Sequence, residues 1–217
     1  VTWKLKKDLK WSDGTPVTSA DVAFSIQTLK QYHPRGRGTF ANVTAVKTPD
    51  AHTAILVLSK PAPYLLTALA ATESPIVPKH LYEGTDILTN PHNSAPVGTG
   101  PFQIAENEEG DHVTFTRFAD YWQPGKPKLQ SLVVKPILDD QARLLNLKSG
   151  SADVIVGVSY ADIAALQQEP ELATAHNELG SSYSALTVNL KHPPFDAQPV
   201  RQALNYAIDR QAINQLA

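Results

Sequence analysis

Hydrophobic and polar residues alternate at the start of the chain, and the spacing then becomes helical. Val1, Trp3 and Leu5 occupy every second position, which is the pattern of a strand with one buried face. The stretch V-T-S-A-D-V-A-F-S-I-Q-T-L then places apolar residues at 22, 26 and 29, after a threonine and an aspartate three residues apart. This arrangement is typical of a capping box before an amphipathic helix, so the spacing predicts a helix over 19–31.

The same criteria predict strands and helices along the rest of the chain. A Glu-Glu-Gly-Asp turn at 108–111 predicts a hairpin, and residues 131–156 read as a βαβ unit. The predicted strands are 43–46, 54–58, 132–137, 153–156 and 183–188, and the further helices are 64–69, 139–147, 159–168 and 200–208. The sequence therefore predicts a mixed α/β fold, with no obvious internal repeat.

Composition narrows the class of protein. Of the 217 residues, 42% are hydrophobic and 18% are charged, which is ordinary for a soluble globular protein. The net charge of −2 argues against a nucleic-acid-binding protein, which usually carries a basic surface. The absence of cysteine excludes disulfides, thiolate metal sites and cysteine nucleophiles. Since the chain contains no methionine, opens on a strand and stops in a helical run, we interpret it as part of a longer protein.

Two aspartates near the start raise the question of acid–base chemistry. Asp13 precedes a glycine in a turn dipeptide, and Asp21 lies in the first turn of the predicted helix, where negative charge is favourable. Both are therefore predicted to be structural. No two of the seven histidines have the i, i+4 spacing of a helical metal pair, so we expect no metal and no cofactor.

Two glycine-containing motifs raise the question of phosphate or anion binding. The G-T-G-P stretch at 98–101 lacks the lysine and hydroxyl residue of a phosphate loop, and is predicted to be a rigid chain reversal. Arg35 and Arg37, in H-P-R-G-R-G, could contact an anion, although a solvated, mobile loop is favoured. Nothing assembles into a catalytic set, so we expect a protein that is not an enzyme.

Five stretches of sequence form an ordered set that covers nearly the whole chain. They are W-S-D-G-T-P-V-T-S-A-D-V-A-F-S at 11–25, I-V-P-K-H-L-Y at 76–82, P-V-G-T-G-P-F at 96–102 with R-F-A-D-Y-W at 117–122, L-K-S-G-S-A-D-V at 147–154, and N-L-K-H-P-P-F-D at 189–196 leading into V-R-Q-A-L-N-Y-A-I-D-R. Together they resemble the peptide- and nickel-binding receptors of ABC transporters, solute-binding protein family 5. Trp11 stands where the family usually has phenylalanine.

The resemblance implies a fold and a division of the chain. The fold would be class II periplasmic-binding-protein-like, with mixed sheets and flanking helices, present here as a partial chain. Residues 1–97 would form the small extra α/β domain of the family, 98–190 part of lobe I, and 191–217 the truncated start of lobe II.

The resemblance also implies where a ligand would bind. Family members hold their solute between two lobes that close around it. The matching strand here is 182–188, whose pocket face would carry either Tyr183, Ala185 and Thr187 or Ser182 and Ser184. A second cleft-lining stretch is 71–74, where Thr72 lies beside Glu73 and the Glu73 carboxylate would receive a cationic end of the ligand.

The implied function is an extracytoplasmic receptor that delivers an oligopeptide or similar small solute to an ABC-type importer. Its partners would be the ligand and the ABC permease and ATPase subunits, with no nucleic acid, and the receptor would be a monomer. It would lie in the periplasm or on the outer face of the cytoplasmic membrane, in the latter case as a lipoprotein. The alternative is the ligand-sensing domain of a cytosolic transcription regulator with the same fold, and the sequence preceding this chain would distinguish the two.

Overall fold

The capped amphipathic segment forms the first long helix. In the computed structural model, which describes residues 1–70, 73–175 and 185–216, helix α1 spans Ser19–Tyr32. The backbone N–H of Thr18 donates to the Asp21 carboxylate at 2.8 Å, as the capping prediction requires. Val22, Ile26 and Leu29 are buried on one face, which confirms the predicted helix and its apolar stripe.

This helix packs on a three-stranded antiparallel sheet. Strands β1 (Thr2–Lys4), β2 (Val43–Asp50) and β3 (Thr53–Leu58) lie in the order β1-β3-β2. The core between helix and sheet contains, besides the three α1 residues, Phe40, Val43, Ala54, Leu56, Ala62 and Leu65. Burial of a Val, Leu, Ile or Phe side chain stabilises a fold by about 1.5–3 kcal/mol. This cluster is therefore the main source of stability in this part of the chain.

Short helical turns connect the longer elements. They are α2 (Gly36–Thr39), α3 (Leu65–Ala68), α4 (Lys79–Tyr82) and a 3₁₀ turn at Pro91–Asn93. The segment after α1 contains the short helix α2, which its sequence did not predict, while Pro34, Arg35, Arg37 and Gly38 are exposed, in agreement with the solvated segment that was predicted.

A second antiparallel sheet follows. It contains β4 (Phe102–Glu108), β5 (His112–Arg117) and β6 (Ser131–Val134), paired in that order. The hairpin between β4 and β5 turns at Gly110, which has a φ of 83°, a conformation that suits glycine. The predicted hairpin is confirmed.

The last third of the described chain has helices as its only regular elements. It contains α5 (Asp140–Lys148), α6 (Tyr160–Leu166), α7 (Gln198–Ala207) and α8 (Arg210–Leu216). The Asp139 side chain caps α5 by accepting the N–H of Ala142 at 2.7 Å. Gly150, with a φ of 75°, follows the end of that helix, as the Ser-Gly pair predicted.

Two predicted strands are wrong within the described residues. Residues 153–156 form no strand, and Val154 and Val156 are 79% and 82% exposed. The predicted βαβ unit is therefore not formed, and β6 pairs antiparallel with β5 instead. Residues 185–189 also form no strand, while 183 and 184 lie outside the described residues. A strand needs a hydrogen-bonded neighbour, and apolar β-branched residues alone do not supply one.

Contacts divide the chain into two units, Val1–Pro136 and Ile137–Ala217. The edge predicted at residue 97 lies inside the first unit, where the N–H of Ser12 donates to the carbonyl of Gly98 at 2.9 Å. The division into 1–97, 98–190 and 191–217 concerns the whole family fold and stays a prediction.

Candidate functional site

The residues predicted to contact ligand fall on two segments. Thr72, Ser182, Tyr183 and Ser184 lie outside the described residues. Glu73 belongs to the first unit and Thr187 to the second.

Glu73 lies in a tight turn after α3. Its backbone N–H and that of Ser74 both donate to the carbonyl of Ala70, each at 2.9 Å. The Glu73 carboxylate forms an ion pair with Nη2 of Arg35. The Glu73 side chain is 20% exposed, while the Arg35 side chain is 70% exposed. The Glu73 carboxylate is therefore already paired with a positively charged side chain of the same protein.

The backbone around Arg35 is held in place by its own hydrogen bonds and by Gly36. The Arg35 carbonyl accepts the N–H groups of Gly38 and Thr39 at 3.0 and 2.9 Å. A β-carbon on Gly36 would lie 1.9 Å from the carbonyl oxygen of Leu29, so only glycine allows α2 to approach the end of α1 this closely. Through Gly36, the H-P-R-G-R-G segment therefore packs against the end of α1.

The segment that follows Glu73 is anchored by α1. Oδ1 of the buried Asp21 accepts the backbone N–H of Lys79 at 2.9 Å, while its other oxygen accepts from Thr18. One turn further along α1, the hydroxyl of the fully buried Ser25 accepts the N–H of Val77 at 2.9 Å and donates to the carbonyl of Asp21. We call this set of contacts the α1 clamp. It joins two of the sequence stretches that carry the family resemblance, 11–25 and 76–82.

A third contact joins the same two stretches through side chains. Nε2 of His80 lies 2.7 Å from Oδ2 of Asp13, and the Thr15 hydroxyl donates to Oδ1 of Asp13 at 2.7 Å. Thr15 Oγ1 also lies 3.3 Å from that same His80 nitrogen. A hydrolytic triad places the carboxylate and the hydroxyl on opposite ring nitrogens, so this cluster does not have triad geometry. The contacts of Asp13 and Asp21 therefore agree with the prediction that both aspartates have structural roles.

These contacts change the pKa of Asp13. Partial burial raises the pKa of its carboxyl, but the hydrogen bonds from Thr15 and His80 outweigh burial, so the pKa lies below the ordinary value of 3.8. The ionised form is thus favoured in the folded protein.

Replacement of Asp13 by asparagine is expected to lower the melting temperature slightly at pH 7. Because the folded-state pKa is depressed, the carboxylate contributes stability above pH 3.8, and this contribution is lost as the pH falls through the lower folded-state value. The difference between wild type and Asp13→Asn in thermal melts should therefore shrink below pH 3.8. A difference that is constant down to pH 2 would contradict this assignment.

Thr187 lies on an exposed stretch beside α7. Its neighbours Leu186 and Val188 line an open groove of about 300 Å³ together with Arg201, Leu204, Asn205 and Ile208. Leu186 and Val188 therefore line the groove beside α7, and Thr187 is not among its lining residues.

The described part of the chain contains neither a group of metal ligands nor a membrane-spanning helix. Within residues 1–70, 73–175 and 185–216, no three side chains of His, Asp or Glu are grouped so that they could hold a metal ion. Over the same residues, the helices fall short of the length and apolar character needed to cross a bilayer.

The chain resembles proteins of known family. The family model described as bacterial extracellular solute-binding proteins, family 5 Middle, matches residues 1–217. The glutathione-binding protein GsiB of Escherichia coli (strain K12) is 30% identical over 224 residues, which cover 100% of this chain and 42% of GsiB. The chain thus spans less than half the length of the curated relatives it matches.

Two solved structures are similar over nearly the whole chain. MoaA from A. tumefacien R10, in complex with mannopinic acid, has a TM-score of 0.85 and 30% identity, covering 99% of this chain and 43% of MoaA. NikZ from Campylobacter jejuni, in complex with Ni(L-His), has a TM-score of 0.83 and 28% identity, covering 98% of this chain and 42% of NikZ. These similarities confirm the predicted fold class and that the chain represents part of that fold.

Proposed function

Because this chain belongs to the bacterial extracellular solute-binding proteins of family 5, we propose that the full-length protein is a receptor that captures a small solute outside the cytoplasm and delivers it to an ABC importer. The observation that carries this proposal is the match of the family model to residues 1–217. The receptor binds its solute and performs no chemistry on it.

The proposed cargo is a short peptide or a similar small solute. The relatives support this range, since GsiB is named for glutathione, and MoaA and NikZ are in complex with mannopinic acid and Ni(L-His). One fold can serve many ligands, so the cargo depends on side chains within the cleft. The segment 182–188 would pair with an extended peptide through its main chain.

Two faces of this segment remain as alternatives for contact with the ligand, one with Tyr183, Ala185 and Thr187 and one with Ser182 and Ser184. Thr187 does not line the groove beside α7, whereas its neighbours Leu186 and Val188 do.

The proposed partners are the permease and ATPase subunits of an ABC importer. The full-length receptor is a monomer in this proposal, as ligand is held within one chain. It acts in the periplasm or at the outer face of the cytoplasmic membrane, in keeping with a family described as extracellular.

Native mass spectrometry of the full-length protein, purified without refolding, tests the cargo. A heterogeneous set of short peptides retained by the protein is the expected result, because main-chain pairing tolerates different side chains. The control is the same protein after denaturation and refolding, which should be free of ligand and should regain the set from a peptide mixture. Retention of one sugar or one metal complex would contradict a peptide cargo.

A further inference from the structure

The predicted acceptor for a cationic ligand group already has a cation bound to it. Arg35 pairs with the Glu73 carboxylate through Nη2. The two side chains differ in exposure, since 20% of Glu73 and 70% of Arg35 are accessible to solvent. The guanidinium is therefore the more exposed group of the pair.

The guanidinium is carried by a residue whose backbone is hydrogen-bonded on both sides. The Arg35 carbonyl accepts two backbone N–H groups of α2, and its own N–H donates to Nδ1 of His33 at 3.3 Å. Gly36 lies directly against the Leu29 carbonyl. A tethered group of this kind competes with free ligand at a high effective concentration.

Glu73 is also held from the other side. The α1 clamp fixes the backbone at Val77 and Lys79, four and six residues after Glu73, while the N–H groups of Glu73 and Ser74 donate to the carbonyl of Ala70. The backbone at Glu73 and on its C-terminal side is therefore hydrogen-bonded within the first unit.

We infer that Arg35 determines the charge specificity of this part of the binding site by acting as a built-in counter-ion for Glu73. The inference depends on the proposed receptor function and on the predicted place of Glu73 in the cleft. Arg35 neutralises the carboxylate, so the site selects against a solute that would present an ammonium group there. Removal of the guanidinium frees Glu73 and converts the site into one that prefers cationic groups.

Arg37 provides a matched control. It lies two residues further along the same turn and carries the same charge, but its guanidinium forms no ion pair with the residues that the structure describes. Arg35→Gln and Arg37→Gln thus change the net charge equally, and only the first removes the partner of Glu73. Arg35→Lys retains a positive charge at the first position.

The test offers the full-length protein an equimolar mixture of tripeptides with free amino termini and the same tripeptides N-acetylated. Captured peptides are quantified by mass spectrometry at low salt, where ion pairs are least screened. Arg35→Gln is expected to raise the ratio of free to acetylated peptide about fivefold, the factor that corresponds to the loss of an ion pair at the upper end of the range for exposed pairs. Arg37→Gln and Arg35→Lys should keep the wild-type ratio, and Glu73→Gln added to Arg35→Gln should abolish the gain.

The outcomes separate this inference from the function on which it depends. An unchanged ratio in Arg35→Gln, or equal changes in Arg35→Gln and Arg37→Gln, would overturn the role of Arg35 while leaving a peptide receptor intact. Failure of the wild type and all variants to capture any peptide would overturn the peptide cargo and the inference with it. Thermal melts of each variant establish that the ratios are measured on folded protein.

Discussion

Gly36→Ala is expected to lower the free energy of unfolding of the first unit by about 3 kcal/mol, which is the upper end of the range for inserting an extra carbon into a closely packed site. The added β-carbon would lie 1.9 Å from the carbonyl oxygen and 2.6 Å from the carbonyl carbon of Leu29. Both are backbone atoms, so relief requires a shift of α2 or of the end of α1. Chemical denaturation of the full-length protein, monitored by amide hydrogen exchange in residues 19–58, measures the loss.

Gly38 is the control for this substitution. It lies in the same short helix, and a β-carbon there would meet nothing within 4 Å. Gly38→Ala should therefore be neutral or slightly stabilising, because alanine has the higher helix propensity. Equal effects of Gly36→Ala and Gly38→Ala would show that α2 does not pack against α1 as described.

Replacement of Asp21 by alanine is expected to cost about 3 kcal/mol, since buried donors are left without an acceptor. The carboxylate accepts the N–H and hydroxyl of Thr18 and the N–H of Lys79, and the residue is 4% exposed. Loss of the last bond should also release the backbone at Lys79, while Val77 stays bound to Ser25. Amide hydrogen exchange in the full-length protein is expected to become faster at Lys79 as well as at the start of α1.

Thr18→Ala separates the two roles of Asp21. This variant removes the capping hydroxyl, with an expected cost of about 1 kcal/mol, but leaves Asp21 bound to Lys79. Exchange at Lys79 should therefore remain slow in Thr18→Ala. If the two variants are equally destabilised and exchange equally at Lys79, Asp21 is only a helix cap.

The elements that could be predicted from the sequence are those with local signals. Helix α1 begins at a capping pair, α5 is capped by Asp139 and ends before Gly150, and the β4–β5 hairpin turns at Gly110. In each case the residue that favours the structure lies within a few positions of the structure itself. The predicted strands at 153–156 and 183–188 had no such local signal. A strand is stabilised by hydrogen bonds to a partner strand, and the position of that partner in the chain is not fixed by local sequence.

The candidate site was harder to predict for the same reason. The sequence indicated a helix-capping role for Asp21, but its contact with Lys79 spans 58 positions and that of Ser25 with Val77 spans 52. Glu73 was expected to be available to a cationic ligand, and its pairing with Arg35 joins two segments that are distant in sequence. No periodicity or local motif carries information about such pairings.

The α1 clamp has a consequence for how the family's sequences can vary. Asp21 and Ser25 bind main-chain N–H groups, so no side chain at 77 or 79 has to match them. Correlated substitution between aligned positions would therefore fail to detect this contact, although it joins two stretches distant in sequence. The residue excluded at 77 and 79 is proline, which has no N–H to donate. The two positions are thus free to change their chemistry while their place in the fold is kept.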